Sequence, residues 1–392
     1  MNKRVILIVL DSLGVGYAED AHLFGDENSN TLGHILEKCP DLKIPNLSKF
    51  GILNLPRMSK YHSKNIEYIK GSYGRMKEIS VGKDTTTGHW EIAGLETKEP
   101  FQTYPDGFPK EFIEAFEKKI GRKTVGNISI SGTEIIEKLG EHHEKTGDII
   151  VYTSDDSVFQ IAANVDVIPL DELYKICKIA REMLIGKWAC ARVIARPYKI
   201  IDNARIRTSD RHDYSVDPHG KTMLNYISQG GKEVYSIGKI RDIFNGCGIT
   251  KSVSTKDNLD GIVKTIEAIK TDFEGLIFTN LVDFDSKYGH RRNPEGYGVA
   301  IEEFDRYLPE IIKNMKSEDI LILTADHGND PTFKGFNHTR EYVPLLVIGD
   351  LIKENNKLGT LNTFADISAT ICDYLDVENT GLGTSFLKKV LK

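Results

Sequence analysis

The residues best suited to chemistry in this chain are carboxylates and imidazoles that follow short apolar runs. Residues 5–10, 276–282 and 320–324 are such runs, and each is followed closely by acidic residues. Three carboxylates that converge without cations would repel one another and take up protons. Two divalent cations would leave the cluster with a net positive charge, which attracts a phosphate dianion. The candidate set contains no cysteine and consists of Asp11, Asp285, His290, Asp326, His327 and His338.

Each of these residues also has a purely structural interpretation. Asp11 could cap a helix after its strand, which is the favoured interpretation if it is considered alone. His290 could lie in a basic, solvated turn. Adjacent Asp326 and His327 at a strand end are harder to explain by packing. Taken together, the six residues indicate a site for two metal ions, and the mixed oxygen and nitrogen ligands suit manganese, magnesium or zinc.

A second reactive element is a threonine-rich segment at residues 82–91, Gly-Lys-Asp-Thr-Thr-Thr-Gly-His-Trp-Glu. A hydroxyl that opens a helix beside a metal can be deprotonated and attack phosphorus. The helix N-terminus would also favour the resulting phosphate. Alternatively, the threonines only cap the helix. Mechanism alone does not choose between Thr85, Thr86 and Thr87.

The elements that must position these residues are alternating strands and helices. The three apolar runs predict strands buried on both faces, as in a parallel sheet. Apolar residues at three- and four-residue spacing from Ile301 to Met315 predict a helix with one buried face. Residues 363–366, Thr-Phe-Ala-Asp, predict a capping box that opens another helix. We therefore predict an α/β fold whose acidic strand ends meet at one edge of the sheet.

The composition is that of a soluble globular enzyme, with 392 residues of which 40% are hydrophobic and 28% charged. The net charge of −6 disfavours nucleic acid and anionic membranes as partners. No apolar run approaches the ~20 residues that span a bilayer. The five cysteines are scattered without a C-x-x-C pair, which predicts reduced thiols in the cytoplasm. We expect no obligatory protein partner.

The middle of the chain differs from both ends in its sequence pattern. Between about residues 99 and 219 it has scattered glycine and proline turns, a predicted strand at 149–153 and a predicted helix around 173–184. This pattern predicts a second α/β domain inserted into the first. Residues 1–98 and 220–392 would form the metal-binding catalytic core, and residues 99–219 the inserted cap domain.

Several segments together resemble the phosphopentomutases, a family of the alkaline phosphatase superfamily. The similarity continues to residues 383–386 and so covers essentially the whole chain. The Asp-His-Gly motif marks only the superfamily. The Lys-Asp-Thr-Thr-Thr-Gly-His-Trp-Glu stretch and the Arg-His-Asp-Tyr at 211–214 are narrower signatures. The segments that carry the resemblance are residues 10–16, 82–91, 283–292, 324–330 and 337–342.

The resemblance implies an alkaline-phosphatase-like core sheet with flanking helices and an inserted cap. It also implies that Thr85 is the phosphorylated nucleophile and that a sugar bisphosphate primes it. Manganese is the implied metal, with two ions bound. The first ion would be held by Thr85, Asp11, Asp326 and His327, and the second by Asp285, His290 and His338.

The inserted domain is expected to supply substrate selectivity. Arginine presents a planar fork that matches phosphate bidentately, whereas lysine acts as a point charge. The resemblance implies that Arg192, Arg207 and Lys239 surround the distal phosphate of the substrate. It implies that Ser154 and Asp156 lie near the sugar hydroxyls.

The implied reaction interconverts the 1-phosphate and 5-phosphate of ribose or deoxyribose through a phosphothreonine and a pentose 1,5-bisphosphate. Pentose phosphates are thus the expected small-molecule partners. The nearest rival is another metal-dependent phosphomutase or phosphatase of the same superfamily. Among these, cofactor-independent phosphoglycerate mutases use a serine, which the threonine triplet disfavours. A non-catalytic phosphosugar sensor is a second rival, disfavoured because the ligands and the nucleophile are all present.

Overall fold

The computed structural model describes residues 2–61, 68–154 and 157–392. The chain divides into two compact units. The first unit consists of Met1–Glu99 and Pro218–Lys392, and the second of Pro100–Asp217. The second unit is thus inserted into the first in sequence, with its borders next to Pro100 and Pro218.

Each unit contains one β-sheet flanked by helices, and the elements are numbered along the chain. The strands are β1 (Arg4–Leu10), β2 (Ser72–Met76), β3 (Thr124–Ser129), β4 (Ile149–Thr153), β5 (Val158–Asn164), β6 (Arg192–Ile201), β7 (Ala204–Arg207), β8 (His212–Ser215), β9 (Glu233–Ile237), β10 (Lys251–Val253), β11 (Gly275–Leu281), β12 (Asp319–Thr324), β13 (Val343–Ile348) and β14 (Asn356–Leu361). The helices are α1 (Thr31–Lys38), α2 (Pro45–Lys49), α3 (Thr85–Ile92), α4 (Lys110–Ile120), α5 (Gly132–Thr146), α6 (Leu170–Met183), α7 (Met223–Gln229), α8 (Ile240–Ile243), α9 (Asn258–Ile269), α10 (Pro294–Lys313), α11 (Ala365–Tyr374) and α12 (Leu387–Val390).

The sheet of the first unit is mixed, in the order β10-β9-β11-β1-β12-β13-β2-β14. Strand β1 is parallel to both β11 and β12, whereas β13 is antiparallel to β12 and β2. Every residue of β1, β11 and β12 is buried, so the three predicted buried strands are confirmed. The α/β fold class is confirmed as well, in a sheet that is only partly parallel.

The carboxyl ends of the three central strands lie side by side. Leu10 at the end of β1 pairs with Leu281 of β11, and Val9 pairs with Thr324 of β12. The predicted meeting of the acidic strand ends at one edge is therefore confirmed. At the opposite edge, the buried Arg4 guanidinium donates to both carboxylate oxygens of Asp319, at 3.1 and 2.6 Å.

Helix α10 confirms the predicted amphipathic helix and shows where it begins and ends. The Asn293 side chain caps it by accepting a hydrogen bond from the Gly296 N–H, and Pro294 occupies its first position. Ile301 and Leu308 on the predicted face are buried. The helix ends at Lys313, before the last residue of the predicted pattern.

The capping box predicted at residues 363–366 is wrong, although the helix it was meant to open exists as α11. The Thr363 hydroxyl accepts from the Ala365 N–H and donates to Glu91 of α3, and Glu91 also accepts from the Phe364 N–H. The Asp366 carboxylate accepts from the Thr384 N–H instead of returning to Thr363. A carboxylate distant in sequence thus binds the two residues that precede α11.

The second unit has its own sheet and core. Its strands run β3-β4-β5-β6-β7, with β8 paired to β6. Ile149 and Val151 of β4 belong to one core cluster, which includes residues of α4 and α6, and Ile150 and Tyr152 belong to the cluster that includes residues of α5. Both faces of β4 are therefore covered. Helix α6 begins three residues before its predicted start. In the part of the chain that the structure describes, no helix has the length and apolarity needed to cross a membrane.

Candidate metal and nucleophile site

Helix α3 places a threonine hydroxyl at the carboxyl edge of the first unit's sheet. The Asp84 carboxylate caps the helix by accepting from the Thr86 and Thr87 N–H groups, and the Thr87 hydroxyl donates to it at 2.6 Å. The cap is therefore an aspartate, with the threonines inside the helix. The Thr85 hydroxyl lies 3.2 Å from His327 Nε2. Among the three threonines, Thr85 is thus the one that contacts a residue of the predicted ligand set.

Helix α3 can approach the end of β12 only because it carries a glycine at the contact. A Cβ on Gly88 would lie 2.0 Å from the backbone oxygen of Asp326, far inside any allowed contact. Backbone cannot move aside as a flexible side chain can. Gly88 therefore permits the close packing that brings Thr85 to His327.

The first ligand group consists of Asp11, Asp326 and His327, whose ligand atoms lie within 4.8 Å of one another. His327 Nε2 lies 3.5 Å from Asp11 Oδ1 and 3.4 Å from Asp326 Oδ2. All three side chains are completely buried. Ser12 has a left-handed backbone, φ 68°, which is strained for a residue with a side chain, and its N–H donates to Asp326 Oδ1 at 3.0 Å.

The second ligand group consists of Asp285, His290 and His338. His290 Nε2 lies 3.2 Å from Asp285 Oδ2, and His338 Nε2 lies 3.4 Å from Asp285 Oδ1. Asp285 lies in a turn of π-helix, Phe284–Gly289, an irregularity that often marks functional sites. The rings of His327 and His338 stack with their centroids 3.9 Å apart, so the two groups adjoin. The structure thus brings all seven predicted residues, Thr85 included, into one site.

All three imidazoles of the site are oriented by backbone carbonyl groups. A carbonyl can only accept a hydrogen bond, so Nδ1 carries the proton in each ring and the Nε2 lone pair faces the other ligands. This arrangement is typical of histidines that bind metals. The Nδ1-to-oxygen distances are 3.1 Å from His327 to Gly328, 3.0 Å from His290 to Phe336 and 2.9 Å from His338 to Lys83.

The carboxylates of the site differ in their electrostatic environment. Burial, with the charges of Asp326 and Asp285, raises the pKa of Asp11 well above its usual value. Burial also acts to raise the pKa of Asp285, but His338 and His290 outweigh it and hold that pKa well below the usual value. His327 and His89 likewise outweigh burial and lower the pKa of Asp326.

Two observations test whether these residues fit divalent cations. The buried Asp11 Oδ1 has no hydrogen-bond partner among the residues that the structure describes, and such an oxygen is costly unless a cation satisfies it. His338 Nε2 and His290 Nε2 lie only 3.0 Å apart. Two lone pairs at this separation repel unless a cation or a proton lies between them. The residues therefore fit cations held by mixed oxygen and nitrogen ligands.

Three polar residues that support the ligands were not among the predicted site residues. The Asn280 amide donates to Asp11 Oδ2 at 2.7 Å, and the Asn329 amide donates to Asp285 Oδ1 at 2.7 Å. His89 Nδ1 lies 3.0 Å from Asp326 Oδ2. The only sequence signal for Asn280 was a lone amide inside an apolar run, which also fits a buried structural residue.

The residues predicted to bind the substrate are divided between the two units. Ser154, Arg192 and Arg207 lie in the second unit, and Arg207 lines a cavity of about 300 Å³ there. Lys239 lies in the first unit, directly before α8, within the range predicted for the catalytic core. Asp156 lies outside the described residues.

The sequence matches the model of the Metalloenzyme superfamily over residues 3–379. Curated relatives named phosphopentomutase include that of Alkaliphilus metalliredigens, 55% identical over 392 residues and all of both chains. That of Clostridioides difficile is 55% identical over 386 residues and 98% of both chains. The chain belongs to the phosphopentomutase family. The resemblance seen in the sequence is confirmed, and the chain is an enzyme of the isomerase class.

Solved structures extend the likeness of fold beyond the phosphopentomutases. The PH0037 protein from Pyrococcus horikoshii matches with a TM-score of 0.50 and 17% identity over 96% of this chain and 98% of that one. Murine ectonucleotide pyrophosphatase/phosphodiesterase 5 matches with a TM-score of 0.50 and 12% identity over all of both chains. At such identities the likeness shows the fold alone.

Proposed function

We propose that this chain interconverts the 1-phosphate and 5-phosphate of ribose or deoxyribose through a phosphorylated Thr85. The observation that carries the proposal is the Thr85 hydroxyl at the start of α3, 3.2 Å from His327 Nε2. A helix N-terminus favours a phosphate at this position. The substrate class is supported by full-length similarity to enzymes named phosphopentomutase.

The proposed reaction consists of two phosphoryl transfers. The 5-hydroxyl of a pentose 1-phosphate attacks phospho-Thr85, the bond between phosphorus and Oγ breaks, and a pentose 1,5-bisphosphate forms. The bisphosphate reorients, and Thr85 Oγ attacks the phosphate on C1, which releases the 5-phosphate. The proton that the sugar hydroxyl loses is regained at the sugar oxygen that leaves. A sugar bisphosphate would prime the unphosphorylated enzyme by the second of these steps.

The ligand groups would hold two divalent cations, of which manganese is our expectation. Such cations would neutralise the phosphoryl oxygens and lower the pKa of the Thr85 hydroxyl. Backbone carbonyls hold the imidazoles with Nε2 towards the ligand site, so little reorganisation is needed on binding. Thr85, Asp11, Asp326 and His327 would bind the first ion, and Asp285, His290 and His338 the second.

The cationic residues identified in the sequence would bind the end of the substrate that does not react. Arg192, Arg207 and Lys239 would bind the distal phosphate, and Ser154 and Asp156 the sugar hydroxyls. Guanidinium groups suit this role because they bind phosphate bidentately. Phospho-Thr85 would hydrolyse if water reached it, so binding must also exclude water.

The five cysteines form no disulfide in the described chain, which supports a cytoplasmic location.

The decisive experiment locates the phosphate after priming with ribose 1,5-bisphosphate. We expect phosphopeptide mass spectrometry to find it on Thr85. Thr85→Ala should abolish formation of ribose 5-phosphate from ribose 1-phosphate in a coupled assay. Thr86→Ala is the matched control, because it removes a neighbouring hydroxyl without touching His327. Phosphate on Thr86 or Thr87, or full activity in Thr85→Ala, would refute the proposed nucleophile.

A second experiment separates a mutase from a phosphatase. Arg207→Ala should reduce isomerisation roughly ten- to a hundredfold, because a charged hydrogen bond to a buried anion contributes about 1.5–3 kcal/mol. Release of inorganic phosphate from the primed enzyme should persist or rise. Arg122→Ala is the control, since this arginine of the same unit pairs with Glu172 at 2.8 Å. Equal loss of isomerisation and phosphate release in Arg207→Ala would contradict the assignment.

A further inference from the structure

Residues 338–342 form an extended segment that touches three loops of the site. Thr339 and Gly328 exchange backbone hydrogen bonds of 2.8 and 3.1 Å, which ties the segment to the loop of the first ligand group. The Tyr342 N–H donates to the Gly16 carbonyl at 3.0 Å, in the loop after β1. His338 is the only member with a role in the proposed chemistry so far. The next long side chain in the segment is that of Arg340.

The Arg340 guanidinium is buried, with only 2% of the residue exposed. Nη1 donates to Glu78 Oε2 at 2.6 Å, to the Ser80 carbonyl at 2.9 Å and to the Gly82 carbonyl at 2.7 Å. Nη2 donates to the Glu78 carbonyl and to Asp20 Oδ2, both at 2.8 Å, and Nε donates to the same Asp20 oxygen at 3.1 Å. All three nitrogens of the guanidinium are therefore engaged, and three of the acceptors are backbone carbonyls.

Those carbonyls belong to residues 78–82, the stretch of chain that leads directly into α3 and Thr85. The same stretch is held from a second direction. The backbone N–H of Arg340 donates to Asp26 Oδ2 at 2.8 Å, and Lys83 Nζ donates to that same oxygen at 2.6 Å. Between these contacts, the Lys83 carbonyl accepts from His338 Nδ1. The path of the backbone before Thr85 and the orientation of His338 thus depend on one group of contacts.

We propose that Arg340 is a positioning residue for phosphoryl transfer. It fixes residues 78–82 so that Thr85 Oγ stays beside His327 Nε2 and the Lys83 carbonyl stays beside His338. The inference rests on the proposed nucleophilic role of Thr85. A lysine cannot replace this arginine, because one ammonium group cannot reach three carbonyls and two carboxylates from a planar fork. The loop would then keep unpaired buried acceptors and lose its fixed position.

The test compares Arg340→Lys with Arg4→Lys. Arg4 is the matched control, because it is equally buried and pairs bidentately with Asp319, but at the opposite edge of the sheet. We expect both variants to unfold at a lower temperature than the wild type and both to keep two metal ions. Only Arg340→Lys should lose kcat, by roughly ten- to a hundredfold, with KM changed less than about threefold. Its phosphorylation of Thr85 by ribose 1,5-bisphosphate should slow by a similar factor.

Two further outcomes decide between positioning and mere stabilisation. Guanidinium ion at a concentration that does not denature the protein should restore part of the kcat of Arg340→Ala, and should not affect Arg4→Ala. Wild-type kcat in Arg340→Lys, or a loss of kcat that follows a loss of bound metal, would overturn the inference. If the wild type itself transfers phosphate to a residue other than Thr85, the proposed nucleophile is wrong and the inference falls with it.

Discussion

The two ligand groups adjoin, but they differ in burial and composition. The first contains two carboxylates and one imidazole, and all three side chains have no exposed surface. The second contains one carboxylate and two imidazoles, and the His290 side chain is 38% exposed. The first group thus concentrates negative charge in the interior, whereas the second mixes groups of opposite charge at a more accessible position.

The pKa shifts show what this difference means without cations. Burial and two like charges raise the pKa of Asp11. In the second group, burial acts to lower the pKa of His338, but Asp285 outweighs burial and raises that pKa. In turn, His338 and His290 lower the pKa of Asp285. The second group can therefore balance its own charge by taking up a proton. The first group has two carboxylates and only one imidazole, so it gains most from a cation.

We expect the largest effect when the first group loses a charge. Asp326→Asn should release the first ion and reduce turnover roughly a thousandfold or more, because metal stabilisation of a phosphoryl transition state amounts to several kcal/mol. Elemental analysis and the coupled assay would measure both. Asp283→Asn is the control, since Asp283 follows the same strand as Asp285 but accepts from the Asn258 N–H and from Lys287. Two retained ions in active Asp326→Asn would contradict the two-group scheme.

An intermediate effect is expected on acidification. The raised pKa of His338 means that protons compete for its Nε2 before they compete for Asp285, whose pKa is lowered, and metal binding requires the neutral imidazole. Lowering the pH from about 7.5 to about 5.5 should therefore release the second ion. We expect it to leave before the first ion, because His290 is partly exposed whereas the first group is fully buried. Equilibrium dialysis with manganese would follow the number of ions per chain. Loss of both ions at the same pH would show that the two groups are not separate.

The sequence was sufficient for features that depend on local pattern. Apolar runs of five to seven residues ending in acids predicted the strands β1, β11 and β12, because burial on both faces leaves a continuous apolar signature. Parallel strands place their carboxyl ends together, so convergence of Asp11, Asp285 and Asp326 followed from the fold class. For Thr85, the residues alone left three candidates, and the resemblance to a family supplied the choice.

Features that depend on distant contacts could not be predicted in this way. Glu91 binds the two residues before α11 from more than 270 positions away, so the local Thr363–Asp366 pattern was misleading. Asn329 and Arg340 donate hydrogen bonds to acceptors in remote loops. Their neighbouring residues in the sequence do not indicate those partners.

The smallest effect, and the sharpest test of the difference between the groups, concerns the metal-free protein. Because the folded-state pKa of Asp11 is raised, its contribution to stability is present at low pH and is lost as the pH rises through that pKa. Above that pKa, Asp11→Asn removes a buried charge among like charges. Metal-free Asp11→Asn should therefore be more stable than the metal-free wild type, by about 1–3 kcal/mol.

Asp285→Asn should have the opposite sign. The folded-state pKa of Asp285 is lowered, so its carboxylate stabilises the protein above the unfolded-state pKa, and this contribution disappears as the pH falls through the folded-state pKa. The variant should lose about 1–3 kcal/mol of stability near neutral pH, because His338 and His290 lose their partner. Urea unfolding in the presence of a chelator would measure both variants. With saturating manganese, both should be less stable than the wild type, since each loses the stabilisation that binding supplies. If both substitutions shift metal-free stability in the same direction, the two groups do not differ in charge balance as we infer.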